Sequence, residues 1–179
     1  MTREYLFAGF GGQGLLFSGK VLAYKGLIEN KNVSWLPSYG PEMRGGTANC
    51  SVIISDDPVG APIISNPDVL VAMNLPSLDK YENDVKAGGT ILVDSSLIER
   101  KVRRDDVNVY YVPATRLAGE INASTLANMI LMGKLLSVFG EYDEEMVSAA
   151  LGKCVSARHQ DLLELNHKAM EIGRDYKED

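Results

Sequence analysis

Apolar residues in this chain gather into short runs that end at glycine, proline or asparagine, with longer amphipathic stretches between them. The first run covers residues 5–8, YLFA. It is too short for a helix and has no alternating polar face, which predicts a strand buried on both sides. A helix is expected over about 13–29, where Leu16, Val21, Leu22, Leu27 and Ile28 supply the apolar positions. A second strand is predicted over 33–36. Residues 37–46, PSYGPEMRGG, hold two prolines and three glycines, which excludes regular structure. Residues 47–55 alternate as a strand, and a turn at 56–58 leads into an expected return strand near 59–64. Two further buried strands are predicted over 69–73 and 90–93, with a glycine-stopped helix at 76–89 between them. A strand over 109–112 ends at Pro113. Helices are expected over 114–119, 125–139, 143–151 and 160–176. Strands alternating with helices give an α/β chain with a doubly wound, mostly parallel sheet, helices on both faces and one antiparallel hairpin. With no repeat or linker, residues 1–179 are expected to form a single domain.

Composition narrows the function classes. The formal net charge of −6 disfavours non-specific nucleic-acid binding, which depends on Lys and Arg at phosphates. The two cysteines, Cys50 and Cys154, are far apart and form no CxxC. This speaks against a cysteine-held iron–sulfur cluster or zinc ribbon in this chain and fits a reducing, cytoplasmic setting. No apolar run approaches the roughly 20 residues of a membrane span.

Candidate chemistry begins at YLFAGFGGQGLLFSGK, residues 5–20. Gly9-Phe10-Gly11-Gly12-Gln13-Gly14 satisfies GxGxxG between a strand and a helix, the context of a Rossmann-like turn. Glycines let the backbone approach an anion, and first-turn amides with the helix dipole then face it. A competing phosphate loop over 14–20 fails, because Val21 stands where Ser or Thr would hold Mg²⁺ and Leu15 to Ser18 follow a helical pattern. A nicotinamide dinucleotide would call for an acid at the end of the second strand, and Pro37 stands there instead. Glycines that serve only tight strand–helix packing remain an alternative.

GGQG followed by YGPEMRGGTANCSVIIS at 39–55 resembles the gamma subunit of the 2-oxoacid:ferredoxin oxidoreductases. The resemblance continues through PDVLVAMN at 67–74, GGTILVDSS at 88–96, VPA at 112–114 and the helix carrying Asn128 and Gly133. The EMRGGTANC form is most like the 2-oxoglutarate type; indolepyruvate relatives differ before RGG. The resemblance implies a multi-subunit enzyme that decarboxylates a 2-oxoacid, passes the acyl group to coenzyme A and reduces ferredoxin. It places thiamine diphosphate with its Mg between alpha and beta subunits and the iron–sulfur clusters in other chains, including a ferredoxin-like delta subunit. The gamma chain resembles a domain of the single-chain pyruvate enzymes associated with coenzyme A. No catalytic or metal-ligating residue is assigned to this chain, and it is not expected to be active alone.

Arg44 has a rigid donor fork suited to phosphate, and Gly45 and Gly46 let the backbone come close. A loop after the second strand lies at the same sheet edge as Gly11, Gly12, Gln13 and Gly14. These seven residues form the expected coenzyme A phosphate site. Arg44 pairing with Glu42 or with a partner subunit is the alternative, and Tyr39 and Met43 suit an interface. Gln13 either donates to a ligand or caps the helix. His159 and His167 fall in the C-terminal helical region, and His167 is read as a helix-face residue. The helix over 125–139 is apolar nearly all round and should be buried, so Asn128 needs a partner and Gly133 a close neighbour. The charged segment 160–179 is expected to be an exposed helix. A free-standing nucleotide-binding module and a purely architectural subunit are the other two classes.

Overall fold

A computed structural model describes residues 1–38 and 48–178. Its elements run β1 (Thr2–Gly9), α1 (Leu15–Ile28), β2 (Asn32–Ser38), β3 (Ala48–Ser55), β4 (Val69–Ala72), α2 (Leu75–Tyr81), β5 (Thr90–Asp94), β6 (Asn108–Val112), α3 (Ala114–Glu120), α4 (Ala127–Val138), α5 (Glu144–Cys154) and α6 (Gln160–Asp175). The six strands form one sheet in the order β2-β3-β1-β4-β5-β6. β1, β4, β5 and β6 are parallel neighbours, and β3 runs antiparallel to both β1 and β2.

Alternate strand residues serve two cores, because successive side chains of a strand point to opposite faces. Tyr5, Phe7, Val69, Val71 and Leu92 pack with α1, α3, α4, α5 and α6. Leu6, Ala8, Leu70, Ala72, Ile91 and Val93 pack with Leu78 of α2 and with Val85 and Ile98. Central strands buried on both faces explain why 5–8, 69–73 and 90–93 read as unbroken apolar runs.

The antiparallel hairpin exists, but its second arm differs from the expectation. Residues 59–64 form no strand. Pro58 and Pro62 each lack an amide to donate to a ladder, and Ile63 is exposed. β2 pairs with β3 instead, Pro37 opposite Cys50 and Ser38 opposite Asn49. The helix expected over 76–89 is α2 followed by a short 3₁₀ turn at Glu82–Asp84. There buried Glu82 accepts from Arg100 Nη2 at 2.8 Å and from the Arg103 amide at 3.2 Å. α4 is buried as its composition requires. Its Gly133 meets the backbone of α6 at Met170, and Gly173 of α6 meets the backbone of Ile130; a Cβ at either glycine would overlap a carbonyl. α6 is therefore only half exposed: Asn166, Ala169, Met170 and Gly173 are buried.

Candidate functional site

β1 delivers the chain at the carboxyl edge of the sheet, and the glycine turn carries it into α1. Gly12 and Gly14 hold φ of 89° and 75°, left-handed conformations that side chains resist. The Gln13 amide donates to Phe10 O at 3.3 Å, closing the turn. The Gln13 carboxamide is used at both ends: Oε1 accepts from the Phe10 amide at 2.7 Å, and Nε2 donates to Met73 O at 3.0 Å. Gln13 thus ties the turn to the end of β4. It does not cap α1; Gly14 occupies the N-cap and no side chain bonds there.

The first helical bond of α1 runs from the Ser18 amide to Gly14 O at 3.0 Å. The amides of Leu15, Leu16 and Phe17 consequently have no carbonyl one turn earlier, and no acid stands in the first turn. The turn opens on a cavity of about 400 Å³ lined by Phe10, Gly11, Gly12, Leu16 and Ala48 among others. No described lining residue is charged. The groups there suited to an anion are backbone amides and the helix dipole.

Gly11, Gly12, Gln13 and Gly14 are brought together as the spacing implies. Arg44, Gly45 and Gly46, with Tyr39, Glu42 and Met43, lie outside the described residues. Their flanking neighbours Ser38 and Ala48 are described. Ala48 pairs with Gly9 and Ser38 with Asn49, so both stand at the carboxyl edge of β1. Of the competing phosphate loop over 14–20, Gly14 is the N-cap and residues 15–20 lie in α1, with Val21 buried.

Asn128 finds its partner here. Its Nδ2 donates to Gly14 O at 3.0 Å, and a Cβ on Gly14 would overlap that amide. Its Oδ1 is buried and has no partner among the described residues, as is true of Asn166 Oδ1. Leaving such an acceptor without a partner costs about 1–3 kcal/mol. Sequence reasoning flagged Asn128 as needing a partner within an apolar helix, without saying what it held, and it missed Asn166. It also missed Asp94 at the end of β5. That fully buried carboxylate accepts from Thr115 Oγ1 at 2.6 Å and from the Ser96 and Thr115 amides, joining β5 to α3.

Both thiols are raised by burial, Cys50 to about 12 and Cys154 to about 11, where nearby Lys20 offsets part of the shift. Both stay protonated near neutral pH. His167 Nε2 lies 3.2 Å from Ser148 Oγ, across α5 and α6, and His159 is exposed at the start of α6. Among the described residues no group of three or more His, Cys, Asp or Glu could hold a metal, and no helix is long and apolar enough to cross a membrane.

An α/β sheet with a glycine turn at a helix start, opening on a cavity with no charged side chain among its described lining residues, is the architecture on which the comparisons bear. Residues 4–176 match the pyruvate ferredoxin/flavodoxin oxidoreductase family, and the chain belongs to it. The 2-oxoglutarate synthase subunit KorC of Methanocaldococcus jannaschii is 38% identical over 84% of this chain and 82% of its own length. The ketoisovalerate oxidoreductase subunit VorA of Methanothermobacter marburgensis is 38% identical over 94% of this chain, which spans only 35% of that protein. The crystal structure of the keto/oxoacid ferredoxin oxidoreductase gamma subunit from Geobacter sulfurreducens superposes with a TM-score of 0.82. It is 30% identical and covers 97% of this chain and 96% of its own. The gamma-subunit resemblance carried by GGQG and EMRGG agrees with these relatives.

Proposed function

We propose that residues 1–179 act as one cytoplasmic unit, the gamma subunit of a 2-oxoglutarate:ferredoxin oxidoreductase, whose share of the reaction is to hold coenzyme A. The overall reaction joins a 2-oxoacid, coenzyme A and two oxidised ferredoxins, and yields acyl-coenzyme A, carbon dioxide, two reduced ferredoxins and a proton. Alpha, beta and delta partners supply thiamine diphosphate, Mg and iron–sulfur clusters, which carry decarboxylation and electron transfer. This chain binds and orients. The observation that carries the reading is the start of α1, where Gly14 is the N-cap with no capping side chain and Leu15, Leu16 and Phe17, whose amides lack an intrahelical acceptor, line a ligand-sized cavity. Gly11 and Gly12 let a diphosphate approach, Gln13 fixes the turn, and Arg44 with Gly45 and Gly46 supplies the charge that the described lining lacks.

The packing of Gly14 against Asn128 favours a second reading, a subunit whose glycines serve architecture alone. Calorimetry of the full chain and of its complex with coenzyme A separates the two. The first reading expects binding that weakens at least about tenfold in Arg44→Ala, as loss of a charge-assisted contact implies. Unchanged affinity removes Arg44 from the site. Binding by the complex that does not depend on this chain leaves the architectural reading.

A further inference from the structure

β2 and β6 are the two borders of the sheet, and they are finished differently. At β6 the outward Tyr111 amide donates to Glu178 Oε2 at 3.4 Å, and Lys101 Nζ stands 3.9 Å from the centre of the Tyr111 ring. Charges of this kind guard an edge against pairing with a further strand. β2 reads NVSWLPS and carries no charge. Among the described residues no strand pairs with its outer side.

The hydrogen-bond ladder fixes which groups that side offers. The Asp68 and Met73 amides donate to Glu4 O and Ala8 O, so even residues of β1 face β4 and odd residues face β3. The register carries this alternation outward: Tyr5 pairs with Val52, Ser34 with Ile53 and Leu36 with Ser51. Ser34 and Leu36 therefore bond to β3, while Val33, Trp35 and Pro37 direct their backbone groups away from it. Pro37 has no amide, so the free edge offers the amides and carbonyls of Val33 and Trp35 and the Pro37 carbonyl. Val33 and Trp35 also line a cavity of about 220 Å³ with Lys20, Ala23, Tyr24 and Leu27 of α1.

We propose that this edge pairs with the β2 edge of a second copy of the chain, antiparallel about a two-fold axis at Ser34, so that the two sheets become one. Val33 of each copy then opposes Trp35 of the other, and every outward amide of β2 meets an outward carbonyl. Pro37 falls opposite Lys31, whose amide is already bound to Gly26 O, so its missing amide costs no bond. Trp35 of one copy, 40% exposed, comes onto the α1 face beside the cavity at Val33 of the other, an apolar knob next to an apolar hole. No like charges meet, because β2 has none and Lys31 is paired with Asp56. An axis at Trp35 instead would set two indoles opposite each other and leave both Val33 carbonyls unpaired.

The test is sedimentation equilibrium of the full chain, wild type against Ser34→Lys, with oxidative cross-linking of Ser34→Cys. In the proposed pair the two Ser34 residues form a non-hydrogen-bonded pair with Cα atoms about 4.5 Å apart, close enough for a disulfide. Wild type is expected to sediment at twice the chain mass at micromolar concentration. Ser34→Lys sets two ammonium groups opposite each other and is expected to weaken self-association about fivefold or more. Ser34→Cys is expected to form a covalent dimer about tenfold faster than Ile63→Cys, which is 73% exposed and lies outside the sheet. Circular dichroism melting reports whether Ser34→Lys folds; if it does not, the cysteine comparison decides alone. A wild type that stays monomeric up to about 0.1 mM overturns the proposal. So does a dimer that folded Ser34→Lys leaves intact, or one in which Ser34→Cys cross-links no faster than Ile63→Cys, since either places the contact on another face.

Discussion

Gln13 shows how one side chain sets the geometry of a backbone site. Its oxygen holds the Phe10 amide and its nitrogen holds Met73 O, so the turn is fixed to β4 rather than left to glycine's freedom. Gly9 fits this arrangement because a Cβ there would overlap Gln13 Oε1. Two hydrogen bonds of about 1 kcal/mol each are lost in Gln13→Leu. The expected outcome is roughly tenfold weaker coenzyme A binding by calorimetry. The thermal midpoint should fall by about 4–8 °C, since each 1 kcal/mol shifts a domain of this size by about 2–4 °C. The glycines and Gln13 were legible as a candidate site because GxGxxG between a strand and a helix is the context of a Rossmann-like turn, with tight strand–helix packing as the alternative. The brace was not legible, since Met73 lies sixty residues away and only the parallel pairing of β1 with β4 brings it near.

Among the elements, α4 and α6 show what the pattern could and could not say. An apolar helix with a central Gly133 announced a close neighbour. Nothing in 160–176 identified that neighbour, because its small residues Ala169 and Gly173 are scattered among charges. The two helices meet backbone to backbone at Gly133 and Gly173. Gly133→Ala and Gly173→Ala should each lower stability by about 1–3 kcal/mol in urea titrations, although alanine favours a helix by about 1 kcal/mol. A stabilised variant would contradict the packing. The same gap explains the return strand expected over 59–64. The turn at 56–58 suggested a strand returning along 47–55, but Pro62 denies a ladder amide, and the neighbour β3 took was β2.

Across the whole molecule, the sheet order does the positioning. β3 enters between β2 and β1, which brings Ala48 beside Gly9 and Ser38 one strand further out, at the edge where the turn begins. β2 is left at the sheet border, with Trp35 and Leu36 each 40% exposed. The α/β class, both helical layers and the parallel strands were legible from alternating periods alone. The insertion of β3 was not, since local pattern carries no information on which strand a strand will pair with. The family match adds what composition could not, an enzyme context for a chain that shows an anion-ready turn and no assigned catalytic group. In the proposed role this chain serves coenzyme A and leaves decarboxylation to its partners. That division is tested by 2-oxoglutarate turnover of the reconstituted complex with and without the chain, following acyl-coenzyme A formation and release of carbon dioxide in a single turnover. Omission is expected to abolish acyl-coenzyme A formation while carbon dioxide is still released once per site. Acyl-coenzyme A formed at the full rate without the chain would contradict it.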